Sequence, residues 1–193
     1  IQPMQIKLRF LGAAQNVTGS RHMLEVNGTR LLIDCGLYQE RQFKERNWEP
    51  FDFPASSIDA VLLTHAHLDH CGLLPKLVKE GFAGPVYCTA ATAEIARIIM
   101  LDSARLQEED AEFKRKRHER EGRKGPYPVV PLYTTADAEA TGPLFKKVRY
   151  KTPVEIADGI TATFCEAGHV LGSAIIHVCI QKNGETRSVL FSG

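Results

Sequence analysis

The chain has 193 residues, which is enough for one compact domain with a sizeable buried core. Its 24 basic and 23 acidic side chains give a formal charge of +1, which neither requires nor excludes a nucleic-acid partner. No apolar run approaches the roughly 20 residues of a membrane-spanning helix, and the first residues lack a secretory pattern, so we expect a cytoplasmic protein without a membrane partner. Five scattered cysteines form no Cys-x-x-Cys pair, so the sequence suggests neither a cysteine zinc knuckle nor a disulfide framework.

The first predicted elements are strands. Residues 6–11 alternate as a half-buried strand should. Residues 22–26 and 30–33 are β-prone and flank Asn27-Gly28, a pair that favours the tight turn of a hairpin. The apolar run 58–64 fits a buried strand.

Helical patterns come next. Leucines on one face predict a helix over residues 71–80, and a longer helical period runs from 92 to about 116. Glycines and prolines at 122–131 then predict a loop. Thr134 or Thr135, followed by Asp137, begins a shorter helix.

A second hairpin is predicted near the end of the chain. Residues 174–181 and 186–191 are β-prone and flank Asn183-Gly184. Strands joined by hairpins, with helices between them, predict an α/β fold in which helices cover the outer faces of sheets.

The most informative segment is His65-Ala66-His67-Leu68-Asp69-His70, which directly follows the apolar run 58–64. Three imidazoles and a carboxylate within six residues are ligand types that zinc accepts. Crowding them together costs desolvation and charge repulsion, and a bound cation offsets both. The alternative, a solvated polar loop, explains the cluster less well, and we predict a metal site.

This motif is the signature of the metallo-β-lactamase fold, and residues 64–77 as a whole resemble its β-CASP branch of nucleases. That branch includes the endonuclease subunit of the pre-mRNA cleavage and polyadenylation complex and its prokaryotic relatives. Three further stretches carry the resemblance: residues 12–20, 32–36 and 166–173. The resemblance implies an α/β fold, the αββα sandwich of metallo-β-lactamases, of which residues 1–193 would form an incomplete, N-terminal portion.

The resemblance also implies roles for individual residues. His65, His67 and His169 would bind a first zinc ion, and Asp69 and His70 would belong to a second. Asp69 would also act in catalysis by accepting a hydrogen bond from the nucleophile. Asp34 would orient ligands without binding metal itself, the support that ligating imidazoles usually receive.

The activity that the resemblance implies is hydrolysis of RNA phosphodiester bonds by a hydroxide activated between two zinc ions. Ser192-Gly193 resembles the start of the family's Ser-Gly-Asp motif, whose aspartate bridges both metals. We therefore expect the cap domain and the rest of the metallo-β-lactamase domain to lie outside this chain. For residues 1–193 alone we expect one zinc ion or none and little or no nuclease activity, and a homodimer is one assembly open to the full-length protein.

Three other functions stay open at this point. They are a DNA-directed β-CASP nuclease, a hydrolase of small thioesters or lactams on the same fold, and a non-catalytic RNA-binding scaffold. The presence of five implied ligands favours catalysis over the scaffold: His65, His67, Asp69, His70 and His169.

Several other features have two interpretations each. The basic run 114–124 fits a solvated helix end better than an RNA contact, because it lacks interleaved aromatic residues. The glycine-rich segment 12–20 could cradle a phosphate or merely shape the floor of the site. We expect His22, His118 and His177 to be structural or exposed rather than metal ligands.

Overall fold

The computed structural model describes residues 3–122, 124 and 129–193. The predicted loop at 122–131 therefore lies partly outside the described residues. Ten strands are described: β1 Ile6–Gly12, β2 Arg21–Val26, β3 Thr29–Ile33, β4 Ala60–Leu62, β5 Val86–Thr89, β6 Phe145–Val148, β7 Val154–Ala157, β8 Ile160–Glu166, β9 Ala174–Lys182 and β10 Glu185–Phe191. The α-helices are α1 Leu68–Cys71, α2 Leu74–Lys79, α3 Ala90–Glu121 and α4 Thr135–Thr141, and short 3₁₀ helices lie at Lys44–Trp48, Ala55–Ser57 and Gly142–Leu144.

The strands form two sheets. The first has six strands in the order β1-β2-β3-β4-β5-β6, antiparallel from β1 to β3 and parallel from β3 to β6. The second has four antiparallel strands in the order β10-β9-β8-β7. Both predicted hairpins are present, and Asn27 and Asn183 have the positive φ angles that their turns need.

Two hydrophobic cores hold these layers together. One lies between the sheets and includes Leu31, Leu62 and Phe164, all fully buried. The other lies between the six-stranded sheet and the helices and includes Val61, Leu77 and further buried residues of α3 and α4. These layers confirm the predicted metallo-β-lactamase architecture for part of the αββα sandwich. Within the described residues, α1 to α4 all lie on the six-stranded sheet, on the face away from the second sheet.

The prediction of one helix over residues 71–80 is wrong in two respects. The segment forms two helices, and the first begins at Leu68, inside the histidine-aspartate motif. Pro75 explains the break, because a proline inside a continuous helix lacks an N–H to donate and its ring clashes with the carbonyl four residues earlier. Asp69 and His70 therefore lie on a helix rather than in a loop.

The other helices follow the predictions more closely. α3 runs from Ala90, capped by the Thr89 hydroxyl, to Glu121, and the left-handed φ of Gly122 ends it, so it is longer than predicted at both ends. α4 begins at Thr135, and of the two predicted residues it is Thr134 whose hydroxyl caps it, reciprocated by Asp137. Across the described residues, no helix combines the length and apolar character needed to cross a membrane.

Candidate metal centre

The predicted site residues of the six-stranded sheet lie at the carboxyl ends of its central strands β3 and β4. β3 and β4 are parallel neighbours, with Ile33 paired to Leu62, so the segments that follow them emerge side by side. Asp34 directly follows β3, and His65 lies three residues beyond β4. The motif then continues into α1, which carries Asp69 and His70.

Three histidines converge beside these strand ends. The Nε2 atom of His65 lies 3.1 Å from Nδ1 of His67, and Nε2 of His169 lies 3.2 Å from the same Nδ1. His169 comes from the loop between β8 and β9, so the second sheet supplies it. Ring nitrogens of all three lie within 4.8 Å of one another, and no other such group of potential ligands is found in the described part of the chain.

These distances fit a shared cation better than hydrogen bonds. Nδ1 of His67 offers either one lone pair or one proton, so it cannot bond both neighbouring nitrogens at once. Two nitrogens on a tetrahedral zinc ion, each about 2.0–2.1 Å from the metal, lie about 3.3 Å apart. The donor set and its spacing therefore fit a divalent metal.

The environment of His65 keeps its ring ready to bind a cation. Burial, reinforced by the charges of nearby histidines, lowers the pKa of His65 to about 4, although the charge of Asp34 opposes this. The hydroxyl of Thr64 donates to Asp34 and lies 3.0 Å from Nδ1 of His65. Because the Thr64 hydroxyl gives its only proton to Asp34, its oxygen can only accept a hydrogen bond, from the N–H at Nδ1 of His65. Nε2 of the neutral His65 ring is therefore unprotonated.

Asp34 is the centre of the buried network behind the site. Its carboxylate is only 1% exposed, and it accepts hydrogen bonds from the backbone N–H and the hydroxyl of Thr64 at 2.8 Å each. Nδ1 of His70 lies 2.7 Å from the same carboxylate. Asp34 thus contacts His70 directly and reaches His65 through Thr64, which is the arrangement expected of a residue that orients ligands.

Asp69 and His70 form a second group of potential ligands beside the three histidines. Because Nδ1 of His70 donates to Asp34, its Nε2 faces Asp69, whose carboxylate is 3.8 Å away. Burial lowers the pKa of His70, but the hydrogen bond and charge of Asp34, together with the charge of Asp69, outweigh it and raise the pKa overall. Negative charge is thus concentrated at this position, where it favours a proton or a metal cation.

Close backbone contacts hold α1 against the strand ends. The backbone N–H of Cys35 donates to the carbonyl of His70 at 2.8 Å, and that of Ser20 donates to the carbonyl of Asp69 at 2.9 Å. A Cβ atom at Gly36 would lie 1.6 Å from the same Asp69 carbonyl oxygen. Only glycine allows the chain after Asp34 to pass this close to the helix.

His169 lies in an exposed loop with its own anchor. The buried hydroxyl of Ser173 accepts the backbone N–H groups of His169 and Val170 at 3.1 and 3.2 Å. The hydroxyls of Thr89 and Thr92, at the start of α3, both donate to the carbonyl of Gly172. Sequence reasoning missed Thr64 and Ser173 as supports of the ligands, although each lies within four residues of a predicted one.

The other three histidines and the described part of the basic run 114–124 do not contribute to the group of ligands described above. His22, His118 and His177 lie outside the group of potential ligands found in the described residues, and His22 packs between Phe10 and Phe191. In the basic run, the described side chains at 114, 116 and 117 each pair with an acid four residues away. This supports the solvated helix end over an RNA contact.

The glycine-rich segment 12–20 contacts α1 beside the site. Its backbone N–H groups at Val17 and Thr18 donate to the carboxylate of Glu40, and the N–H of Ser20 donates to the backbone carbonyl of Asp69. Hydrogen bonds from Thr18 lower the pKa of Glu40 to about 2. These three N–H groups are therefore already satisfied within the protein.

Comparison with known proteins agrees with this arrangement. The family model described as "Metallo-beta-lactamase superfamily domain" matches residues 23–191. The subclass B3 metallo-beta-lactamase MEM-A1, isolated from a soil metagenome library, matches 95% of the chain and 59% of its own at a TM-score of 0.55 and 16% identity. The metallo-beta-lactamase fold protein YhfI from Bacillus subtilis gives a TM-score of 0.54 at 17% identity, over 97% of this chain and 61% of its own. At such identities these structures show the fold alone.

Curated relatives are more similar in sequence. Ribonuclease TTHA0252 of Thermus thermophilus is 36% identical over 94% of this chain and 36% of its own length. Transcription termination factor FttA of Methanocaldococcus jannaschii is 37% identical over 91% of the chain and 25% of its own. Cleavage and polyadenylation specificity factor 73 of Drosophila melanogaster is 31% identical over 90% of the chain and 23% of its own.

The chain thus spans between 23% and 36% of the length of these three relatives. They confirm the predicted resemblance to the pre-mRNA cleavage factor and its prokaryotic relatives. The family model covers most of the chain, and the two packed sheets match its fold. The chain belongs to the metallo-beta-lactamase superfamily.

Proposed function

We propose that this chain is the N-terminal part of a metallo-β-lactamase domain in a zinc-dependent β-CASP ribonuclease that hydrolyses RNA phosphodiester bonds. The observation that carries the proposal is the convergence of the His65, His67 and His169 ring nitrogens on one point. Beside them lies a carboxylate-imidazole pair, Asp69 and His70, suited to a second ion. Two such positions match the pair of metals that many phosphodiester-cleaving enzymes use.

Zinc is the metal that these side chains suit best. Imidazole nitrogens with one carboxylate are common zinc ligands, whereas magnesium and calcium prefer oxygen ligands throughout. His65, His67 and His169 would hold the first ion, and Asp69 and His70 would contribute to the second. When bound, zinc would supply a water nucleophile activated at neutral pH and positive charge to neutralise the phosphate oxygens.

The protein's own groups position the reaction. Asp69 is partly exposed at the edge of the site, on the first turn of α1, where its carboxylate can accept a hydrogen bond from an attacking water and orient it. Asp34 holds the proton on Nδ1 of His70 and so keeps Nε2 directed towards the site. Thr64 does the same for His65 through its hydroxyl oxygen.

RNA is favoured as the substrate because of the relatives. One is named a ribonuclease, one a transcription termination factor and one a cleavage and polyadenylation factor, and each name refers to transcription or RNA. The solved metallo-beta-lactamases share only the fold with this chain, so they lend no support to a lactam substrate. All five proposed ligands are retained, which favours an enzyme over a binding scaffold.

Two further expectations belong to this proposal. A cytoplasmic location is supported by the cysteines, since all five are unpaired, as in a reducing compartment. Homodimerisation of the full-length protein stays a prediction, and sedimentation of that protein would test it.

The experiment is RNA cleavage by the full-length protein, with Asp69→Asn compared against the wild type. We expect the variant to lose about 100-fold or more in kcat, the range typical of a general acid-base or nucleophile-orienting group. Asp59→Asn is the matched control, because Asp59 hydrogen-bonds the backbone of Arg30 away from the site. Equal turnover of both variants, or cleavage of DNA but not RNA, would contradict the proposal.

Metal dependence provides a second readout. Treatment of the wild type with a chelator should abolish cleavage, and added zinc should restore it. Restoration by magnesium alone would contradict the assignment of zinc while leaving a metal-dependent nuclease.

A further inference from the structure

A cavity of about 300 Å³ lies on the helix side of the six-stranded sheet, separate from the candidate metal centre. It is lined by residues from the ends of β1 and β2, the 3₁₀ helix Lys44–Trp48, the segment that follows it, and α2, and it opens to solvent. None of the five proposed metal ligands lines it. Three cationic side chains do: Arg21, Arg46 and Lys76.

Arg21 is the unusual member of this group. It is only 9% exposed, and its Nε atom is fully buried without a hydrogen-bond partner. Its guanidinium makes a long hydrogen bond, 3.3 Å to the carbonyl of Leu11, interacts with the thiol of Cys35 and lies 5.0 Å from the centre of the Phe51 ring. No carboxylate of the described residues lies within ion-pair distance of it.

A buried guanidinium in this state is costly. Removing a charge from water is unfavourable unless a counter-charge and hydrogen bonds replace the lost hydration. The thiol of Cys35 lies beside Arg21, but a thiol is neutral near pH 7 and supplies no counter-charge. The five N–H groups of an arginine suit a planar or tetrahedral oxyanion, which can accept two of them at once.

Lys76 adds a second buried positive group to the same cavity. It is 6% exposed, donates to the carbonyl of Glu49 at 2.5 Å and lies 4.3 Å from the centre of the Phe51 ring. Its ion pair with Glu80, at 3.1 Å, leaves an ammonium with further donor capacity. Arg21 and Lys76 thus both approach the Phe51 ring and line the same cavity.

The rim completes the cavity. Arg46 is exposed and lies over the rings of Tyr38 and Phe43, so it can turn towards a ligand without a desolvation penalty. Glu49 and Asp52 also lie at this rim, but both are exposed, and their carboxylates form no ion pair with Arg21, Arg46 or Lys76 among the described residues. In this cavity the positive charges of Arg21 and Lys76 are therefore buried, whereas the carboxylates at its rim are exposed.

We infer that this cavity binds a phosphoryl group, held by Arg21 and Lys76 and closed over by Arg46. The volume exceeds that of a phosphate ion and leaves room for an attached group. Two sources share this chemistry, a small phosphorylated molecule and a phosphate of RNA. The inference does not depend on the metal centre, because it uses none of its residues.

The test uses the only tryptophan of the chain, Trp48, which ends the 3₁₀ helix that carries Arg46. Its fluorescence is followed in the chelator-treated chain while inorganic phosphate is added at constant ionic strength. We expect a saturable change in the wild type. Arg46→Gln should weaken binding about tenfold or more, since it removes a charge-assisted hydrogen bond to the phosphoryl group.

Two more variants make the test specific. Arg21→Lys keeps the charge but removes the fork of donors, and we expect a loss of the same order. Arg187→Gln is the matched control, because it removes one exposed positive charge on β10, in the other sheet, and it should bind phosphate as the wild type does. Arg46 is exposed, so its replacement leaves folding intact and keeps the test valid even if Arg21→Lys unfolds the protein.

Adenosine monophosphate and a short oligoribonucleotide are then titrated into the same proteins. Weaker mononucleotide binding by Arg46→Gln identifies a small ligand, and weaker oligonucleotide binding alone identifies an RNA phosphate; either result supports the inference. Absence of saturable binding of any probe by the wild type overturns it. Equal binding of every probe by Arg46→Gln and Arg187→Gln overturns it as well.

Discussion

The two sheets contribute unequally to the candidate metal centre. The six-stranded sheet supplies four of the five proposed ligands, on the segments after β4 and on α1, and a buried network around Asp34 holds them. The four-stranded sheet supplies only His169, from an exposed loop held by the Ser173 hydroxyl. One side of the site is therefore fixed before any ion arrives, and the other has more freedom to adjust.

The largest effect should come from the residue that joins the two sides. His67 contacts both His65 and His169, so His67→Ala removes the common neighbour of the other two ligands. Even the loss of a residue that only supports a ligand weakens metal affinity about 10- to 100-fold, so we expect more than about 100-fold here. Zinc titration of the chain against a competing chelator measures it. His177→Ala, outside the cluster, should match the wild type, and an unchanged affinity in His67→Ala would refute the shared site.

The next effect tests the fixed side. Asp34→Asn keeps the size of the side chain but removes the charge and one of the acceptors of Thr64 and His70. We expect zinc affinity to fall about 10- to 100-fold, the range found when supporting residues of metal ligands are replaced. The same chelator competition measures it, with Asp59→Asn as the control for the loss of one carboxylate. An effect no larger in Asp34→Asn than in Asp59→Asn would contradict the role of the network.

A smaller effect is expected on the adjustable side. Ser173→Ala removes the acceptor of two backbone N–H groups in the His169 loop. Each such hydrogen bond contributes about 0.5–1.5 kcal/mol, and water can replace part of this in an exposed loop, so affinity should fall about 2- to 10-fold. Ser188→Ala on exposed β10 is the control. A loss exceeding that of Asp34→Asn would reverse the order of the two sides.

The smallest expected effect is a difference in thiol reactivity between cysteines buried under the helices and cysteines on the four-stranded sheet, away from the site. Cys35 and Cys88 are buried under the helices, and burial raises their pKa values to about 11 and about 12. Cys165 and Cys179 lie half-buried on the outer face of the four-stranded sheet. Because thiolates are the reactive form, iodoacetamide at pH 8 should label Cys165 and Cys179 first, as mass spectrometry would show. Raising the pH towards 11 should narrow the difference in labelling between the half-buried and the buried cysteines. Equal labelling of all four cysteines at pH 8 would contradict the prediction.

Sequence reasoning succeeded where the signal was local. The six-residue motif, both Asn-Gly turns and the cap at Thr134 each depend on neighbours within a few positions, so the pattern and its structure coincide. It also brought His169 to the cluster, through a family resemblance rather than through periodicity. The structure agrees, with His169 at 3.2 Å from His67.

The sequence was less informative where long-range packing decides. Strands β5, β6 and β7 have four residues each, too few for a period to stand out, and β6 carries two exposed lysines. The alternation in β8 was a usable signal that we missed, since every second residue from Ile160 to Phe164 is buried. The phosphoryl cavity had no sequence signal, because Arg21, Arg46 and Lys76 come from three separate segments.

Asp34 has a thermodynamic consequence that goes beyond orientation. One carboxylate touches His70 directly and His65 through Thr64, so the two groups of ligands share a single charge. A cation that neutralises one group changes the field that Asp34 exerts on the other. Two ions would therefore bind with linked affinities, and the first would set the strength of the second.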